Sequence, residues 1–99
     1  MTVASISGRV DSVTALTLDT ELEKMARENN RLVLDLKDTA YMSSAGMRAV
    51  LKTLQNAKKS GGAVKLARVP DLVGEVLQTV GMLEMLQSYP SVDEAVASF

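Results

Sequence analysis

Cysteine and histidine are both absent from this chain of 99 residues. Without cysteine, the chain can form no disulfide, thiolate metal site or cysteine nucleophile. Without histidine, the serine–histidine and cysteine–histidine mechanisms of nucleophilic catalysis are excluded, and only carboxylates and hydroxyls remain to bind a metal. We therefore expect a protein that is not an enzyme and that uses neither a cofactor nor a metal.

Long apolar runs and an excess of one charge are also missing. No stretch approaches the length that crosses a bilayer, and the N-terminus lacks the features of a signal peptide, so we expect a cytoplasmic protein without a membrane partner. The net charge of -1 gives no basic footprint for nucleic acid. The 46% of hydrophobic and 23% of charged residues predict one packed domain over residues 1–99.

Strand and helix patterns alternate along the sequence. Short apolar runs predict strands at residues 2–7, 31–36 and 63–67, with an ambiguous short strand at 82–86. Helical spacing predicts a first helix from Ala15 to about residue 28 and a second from the serine-rich segment to Ser60. A third is predicted from Pro70 to Gly81 and a fourth over residues 91–96. The apolar face predicted for the third helix consists of Leu72, Val73, Val76, Leu77 and Val80. This alternation predicts an α/β fold with a small, mostly parallel sheet and right-handed crossovers.

The most unusual feature is the hydroxyl-rich segment at residues 41–47, Tyr-Met-Ser-Ser-Ala-Gly-Met, directly before the second helix. A helix N-terminus carries unpaired N–H groups and partial positive charge, so it stabilises a phosphate on a nearby serine. Such a phosphate adds about 1.5 to 2 negative charges, which would expel a protein packed over this position. The alternative is that one serine is an ordinary N-cap.

Residues 32–47 resemble the signature of anti-sigma factor antagonists of the STAS type. In that family, an apolar strand and an aspartate-containing turn lead to a phosphorylatable serine, a small residue and a glycine at a helix start. The resemblance identifies Ser44 as the phosphoacceptor; Ser43 stands where the family commonly has aspartate and is the alternative acceptor. Residues 6–11 are similar to the family's strand that ends in glycine and aspartate, which implies that Asp11 lies beside the serine segment. A helix cap is the alternative role for Asp11.

The resemblance implies a single STAS domain with helices mainly on one side of its sheet. It also implies a partner-switching cycle that regulates transcription. The unphosphorylated protein would bind an anti-sigma factor that is also a serine kinase, phosphorylation would end this binding, and a serine phosphatase would restore it. The implied partner-binding residues are Asp11, Ser43, Ser44, Ala45, Gly46, Met47, Arg48 and Lys52. For the last two, a solvated helix face is the alternative.

Other functions fit the same residues less well. A receiver-like phosphoacceptor at Asp35 would need a cluster of carboxylates to hold magnesium, and no adjacent acidic pair follows the first strand. A nucleotide-binding role is not supported, because the sequence contains neither the GxxxxGK[ST] loop nor the GxGxxG motif. A STAS-like subunit of a larger assembly, such as a lipid transporter in which the serine is only structural, is the main alternative.

Overall fold

A computed structural model describes residues 1–79 and 86–99. The predicted strands and helices follow one another there, and two further short strands that were not predicted lie at residues 8–10 and 39–42. The first half contains β1 (Thr2–Ser5), β2 (Gly8–Val10), α1 (Thr14–Glu28), β3 (Arg31–Asp35) and β4 (Thr39–Met42). The second half contains α2 (Ser44–Lys59), β5 (Ala63–Ala67), α3 (Asp71–Thr79), β6 (Gln87–Tyr89) and α4 (Val92–Ala97). Within the described ranges, no helix is long and apolar enough to cross a membrane.

The main sheet has the strand order β1-β3-β5-β6, and its neighbouring strands run parallel. β3 lies inside this sheet, and its Leu32, Val33 and Leu34 are 0% exposed. Such complete burial is what its nearly continuous apolar run predicts for a parallel strand covered on both faces. The predicted α/β fold with a small, mostly parallel sheet is therefore confirmed.

Helices cover the two faces of this sheet unequally. Leu32 and Leu34 belong to the larger core cluster, which takes residues from α1, α2 and α3. Val33 and Ala67 belong to a smaller cluster closed by Ala95 of α4. The prediction that the helices lie mainly on one side is confirmed, with α4 as the helix on the other face.

One detail of the third helix differs from the prediction. Val73 and Leu77 of α3 are each 1% exposed, but Leu72 is 66% exposed and does not belong to the buried stripe. A step of one residue turns a helical side chain by about 100°, so the stripe defined by Val73 and Leu77 leaves Leu72 outside. The predicted positions Val80 and Gly81 lie outside the described residues.

The last predicted strand and helix are only partly matched. Most of the strand expected at 82–86 falls outside the described residues, and Leu86 is buried just before β6, the strand that the structure shows. The predicted cap of α4 is confirmed, because Ser91 Oγ accepts a hydrogen bond of 3.1 Å from the backbone N–H of Glu94.

Candidate functional site

A second, two-stranded sheet brings the starts of α1 and α2 together. β2 and β4 pair in parallel, with Val10 opposite Met42. The backbone N–H of Ser43 then donates a 2.7 Å hydrogen bond to the carbonyl of Val10. Asp11 follows Val10 directly, so this pairing places Asp11 next to the serine segment and sets the two helix starts side by side.

The two adjacent serines occupy different positions at the start of α2. Ser43 is the N-cap, with an extended backbone, and its Oγ accepts a 3.4 Å hydrogen bond from the N–H of Gly46. Ser44 is the first helical residue and is exposed. Its hydroxyl has no hydrogen-bond partner in the part of the chain that the structure describes. The capping role therefore belongs to Ser43, and the hydroxyl of Ser44 is free at the positive end of the helix.

Asp11 is directed toward its own helix. Its Oδ1 accepts hydrogen bonds of 3.0 Å from the backbone N–H groups of both Val13 and Thr14, and one of 3.1 Å from the hydroxyl of Thr14. The bond from the Thr14 N–H, followed by that from Val13, holds the pKa of Asp11 below its ordinary value of 3.8. The structure thus gives Asp11 the capping role that the sequence left as its alternative.

Gly46 and Met47 lie inside the fold, which corrects their assignment to a partner-contact surface. Met47 is 1% exposed and belongs to the main core cluster. Gly46 is buried, and a Cβ added there would lie 2.7 Å from Cγ1 of Val10 and 2.8 Å from Cγ of Met42. Their contribution is to pack the start of α2 against β2 and β4.

The other assigned residues lie around a shallow depression between the two helices, which we call the α1–α2 groove. Leu16 and Asp19 line it from α1, and Ala45, Arg48 and Lys52 line it from α2, around a volume of about 160 Å³. Lys52 Nζ lies 3.3 Å from Asp19 Oδ2 in an ion pair across the groove. Arg48 is exposed and, among the described residues, has neither an ion pair nor a hydrogen bond.

Exposed apolar side chains flank the groove, and the sequence analysis did not single them out. Val13 is 73% and Leu16 is 72% exposed, and the two are three residues apart at the start of α1. Adjacent large apolar side chains in water are typical of an interaction surface, whereas isolated ones are ordinary. The available signal was that Leu16 falls off the stripe that Ala15, Leu18 and Leu22 define.

The surroundings of Asp35 are those of a buried ion pair that stabilises the fold, and not those of a metal-dependent phosphoacceptor. It is 6% exposed, and Arg68 binds both of its carboxylate oxygens, with Nε 3.0 Å from Oδ1 and Nη2 bonded to Oδ2. The hydrogen bond from Arg68 is the main reason that the pKa of Asp35 lies below its ordinary value. Across residues 1–79 and 86–99, no group of three or more acidic side chains could hold a metal. The receiver-like alternative therefore gains no support.

Comparisons with known proteins agree with this arrangement. The sequence model of the STAS domain family matches residues 1–95. The chain is 33% identical over 100 residues to BtrV of Bordetella bronchiseptica, provisionally described as an anti-sigma factor antagonist, and the match covers 100% of this chain and 86% of that protein. It is 28% identical over 82 residues to the anti-sigma-B factor antagonist of Bacillus subtilis, covering 83% of this chain and 75% of that protein.

The fold also matches a solved structure over nearly its whole length. An anti-sigma factor antagonist from Mycobacterium paratuberculosis superposes with a TM-score of 0.85, and the match covers 97% of this chain and 84% of that one. The two sequences are 23% identical, so this likeness shows a shared fold. The chain therefore belongs to the family of STAS domains that includes anti-sigma factor antagonists.

Proposed function

We propose that this protein is an anti-sigma factor antagonist that works by partner switching. The unphosphorylated form binds an anti-sigma factor at the exposed starts of α1 and α2, which frees a sigma factor for transcription. Phosphorylation of Ser44 ends this binding, and a serine phosphatase restores it. The observation that carries the proposal is that the Ser44 hydroxyl is exposed and unbonded among the described residues, while Ser43 caps the helix. The names of the relatives support the class of partner.

The surface around Ser44 supports the proposal that docking and phosphorylation exclude each other. Val13 and Leu16 present apolar side chains near the helix starts, and covering them with a partner is favourable because it removes apolar area from water. A phosphate on Ser44 brings about 1.5 to 2 negative charges that stay hydrated. Burying those charges under an apolar contact is strongly unfavourable unless the partner supplies matching cations.

In this proposal the chain is a ligand and a substrate, and the anti-sigma factor carries the chemistry. The kinase supplies ATP, magnesium and the catalytic base. A bond forms between Ser44 Oγ and the γ-phosphorus of ATP, the bond from that phosphorus to the β–γ bridging oxygen breaks, and ADP leaves. The hydroxyl proton passes to the base of the kinase.

Phosphate transfer tests the acceptor residue. With the cognate anti-sigma factor kinase and ATP, we expect mass spectrometry to find one added phosphate on the wild-type protein. Ser43→Ala, the matched control, keeps its acceptor and should also be labelled, whereas Ser44→Ala should not. A label that persists in Ser44→Ala and disappears in Ser43→Ala would move the site to Ser43. No label on any form, from a kinase that binds the unmodified protein, would refute the switch.

Binding affinity tests the release step. Ser44→Asp should weaken anti-sigma binding on the order of tenfold or more, because it places a charge under the docked partner. Gln55→Glu is the matched control, since it adds the same charge to an exposed position of α2 three turns further along. Equal affinity of Ser44→Asp and the wild type would contradict the switch. It would leave a STAS-like subunit of a larger assembly, with a structural serine, as the remaining explanation.

A further inference from the structure

We propose that a phosphate on Ser44 forms an ion pair with Arg48 of the same chain, so that modification also removes Arg48 from the partner-binding surface. This inference rests on the proposed function and concerns the regulation of the same site. It adds a second consequence of phosphorylation: the chain gains an anion and loses a free cation at the same time.

The helical geometry brings the two side chains together. Ser44 and Arg48 are four residues apart in α2 and both are exposed, so they lie on one face of the helix about 6 Å apart along its axis. Side chains of a helix lean toward its N-terminus, which directs the arginine back over Ser44. An anion that precedes a cation by four residues is also the favoured orientation for such a pair.

Arg48 is available for this contact. Within the described ranges its guanidinium has no ion pair and no hydrogen bond, so no existing interaction has to break. The first turn of α2 contains no acidic residue that would compete for it.

Apart from Arg48, the charged groups that line the groove or lie near the two helix starts are already engaged. Asp19 of α1 pairs with Lys52, and Asp11, just before α1, accepts hydrogen bonds from the backbone N–H groups of Val13 and Thr14. On β2, the guanidinium of Arg9 lies 4.3 Å from the centre of the Tyr41 ring. Of Arg9, Arg48 and Lys52, the cations near Ser44, Arg48 is therefore the one without a prior partner in the described part of the chain.

The proposed pair changes what the groove offers to a second protein. A guanidinium can give two parallel hydrogen bonds to phosphate oxygens, which makes it a strong partner for this group. Because Arg48 lines the α1–α2 groove, its charge in the unphosphorylated form is free to meet an acidic side chain of the partner. After phosphorylation the same charge is used within the chain.

Phosphorus NMR tests the pair without a kinase or a partner. Phosphoserine is installed at position 44 during synthesis, and its second ionisation is followed by pH titration. A nearby cation favours the dianion, so removing it in Arg48→Gln should raise this pKa by roughly 0.15 to 0.4. Arg48→Lys should keep part of the effect. The matched control Lys58→Gln, which removes an exposed cation from the last turn of α2, should change the pKa by less than about 0.1.

The outcomes distinguish this inference from the function on which it rests. Equal titration of the wild type and Arg48→Gln would refute the pair, and so would an equal rise in Lys58→Gln, because that would show a diffuse field. High salt should shrink a true difference. Failure of the proposed function would show itself elsewhere, as missing phosphate transfer to Ser44 or unchanged anti-sigma binding by Ser44→Asp. Arg48 is exposed, so circular dichroism should confirm that its variants keep the fold.

Discussion

Substitution of Gly46 distinguishes two reasons for a small residue in the serine segment, namely close approach of a partner and close packing within the fold. If glycine is there so that a partner can approach the backbone, alanine should leave the stability of the isolated protein unchanged. The structure instead packs this position, because an added Cβ would lie 2.7 Å from Cγ1 of Val10 and 2.8 Å from Cγ of Met42. We therefore expect Gly46→Ala to lower the free energy of unfolding in the absence of any partner.

The size of this effect follows from two opposing contributions. Carbon atoms pack at about 3.5 to 4.0 Å, so each neighbour must retreat by roughly 1 Å. Val10 is 4% exposed and Met42 is 1% exposed, so neither has free space, and overpacking of this kind costs about 1–3 kcal/mol. Alanine recovers about 1 kcal/mol of helix propensity. Because two buried neighbours must move, the upper part of that range, about 2–3 kcal/mol, applies here. The expected net loss is then about 1–2 kcal/mol, which lowers Tm by roughly 5 to 15 °C in a domain of this size.

Urea denaturation followed by circular dichroism measures this loss, and α3 offers a matched control. A Cβ added at Gly74 would meet only Cγ1 of Val69, at 3.8 Å, so Gly74→Ala should raise the stability by about 0.5–1 kcal/mol. In a Val10→Ala background, Gly46→Ala should cost less, because the nearest obstructing atom is gone. If Gly46→Ala proves as stable as the wild type and yet loses anti-sigma binding, the packing explanation is wrong.

Three further predictions concern positions where the structure assigns a definite role. Ser43→Ala should lower the free energy of unfolding by about 0.5–1 kcal/mol, because it removes the long capping hydrogen bond, whereas Ser44→Ala should change it little. If thermal unfolding shows the reverse, Ser44 and not Ser43 is the cap. Asp35→Asn should lose about 1–3 kcal/mol at pH 7. The folded pKa of Asp35 is depressed, so its contribution is present above 3.8 and fades as the pH falls below that value; a pH-independent difference in urea titrations would contradict this. Gly62→Ala, whose Cβ would lie 1.9 Å from a backbone oxygen of Asn30, should destabilise more than Gly46→Ala in the same assay.

The elements set by local pattern were predictable from the sequence. The apolar stripes of α1 and α2 and the apolar runs of β3 and β5 each carry their own signal, so their positions agree with the structure to within a few residues. β4 was missed because its four residues follow a polar break and pair with β2, about thirty residues earlier in the chain. A strand defined by such a distant partner leaves little trace in its own sequence.

In the candidate site, too, the features with a local sequence signal were predictable and those that depend on distant residues were not. The serine segment was placed at a helix start, but which serine caps the helix depends on where α2 begins, and serine suits both positions. The Asp35–Arg68 pair joins residues 33 positions apart and had no local signal. For Met47 the signal existed, because it lies on the apolar stripe predicted for the second helix. The family resemblance assigned it to the surface in spite of that pattern.

The parallel pairing of every strand in the described residues has a consequence for how the chain reaches this fold. Thr2 pairs with Leu32, Gly8 with Thr39, and Arg31 with Ala63, so these three ladders join residues about thirty positions apart. The pairing of β5 with β6 is also long-range, and none of the ladders closes through a hairpin turn. A large loop must close before the first inter-strand bond forms, which makes the early steps slow. During synthesis, β1 must therefore wait for β3 to appear, and the main sheet can be complete only after β6, at residues 87–89, has left the ribosome.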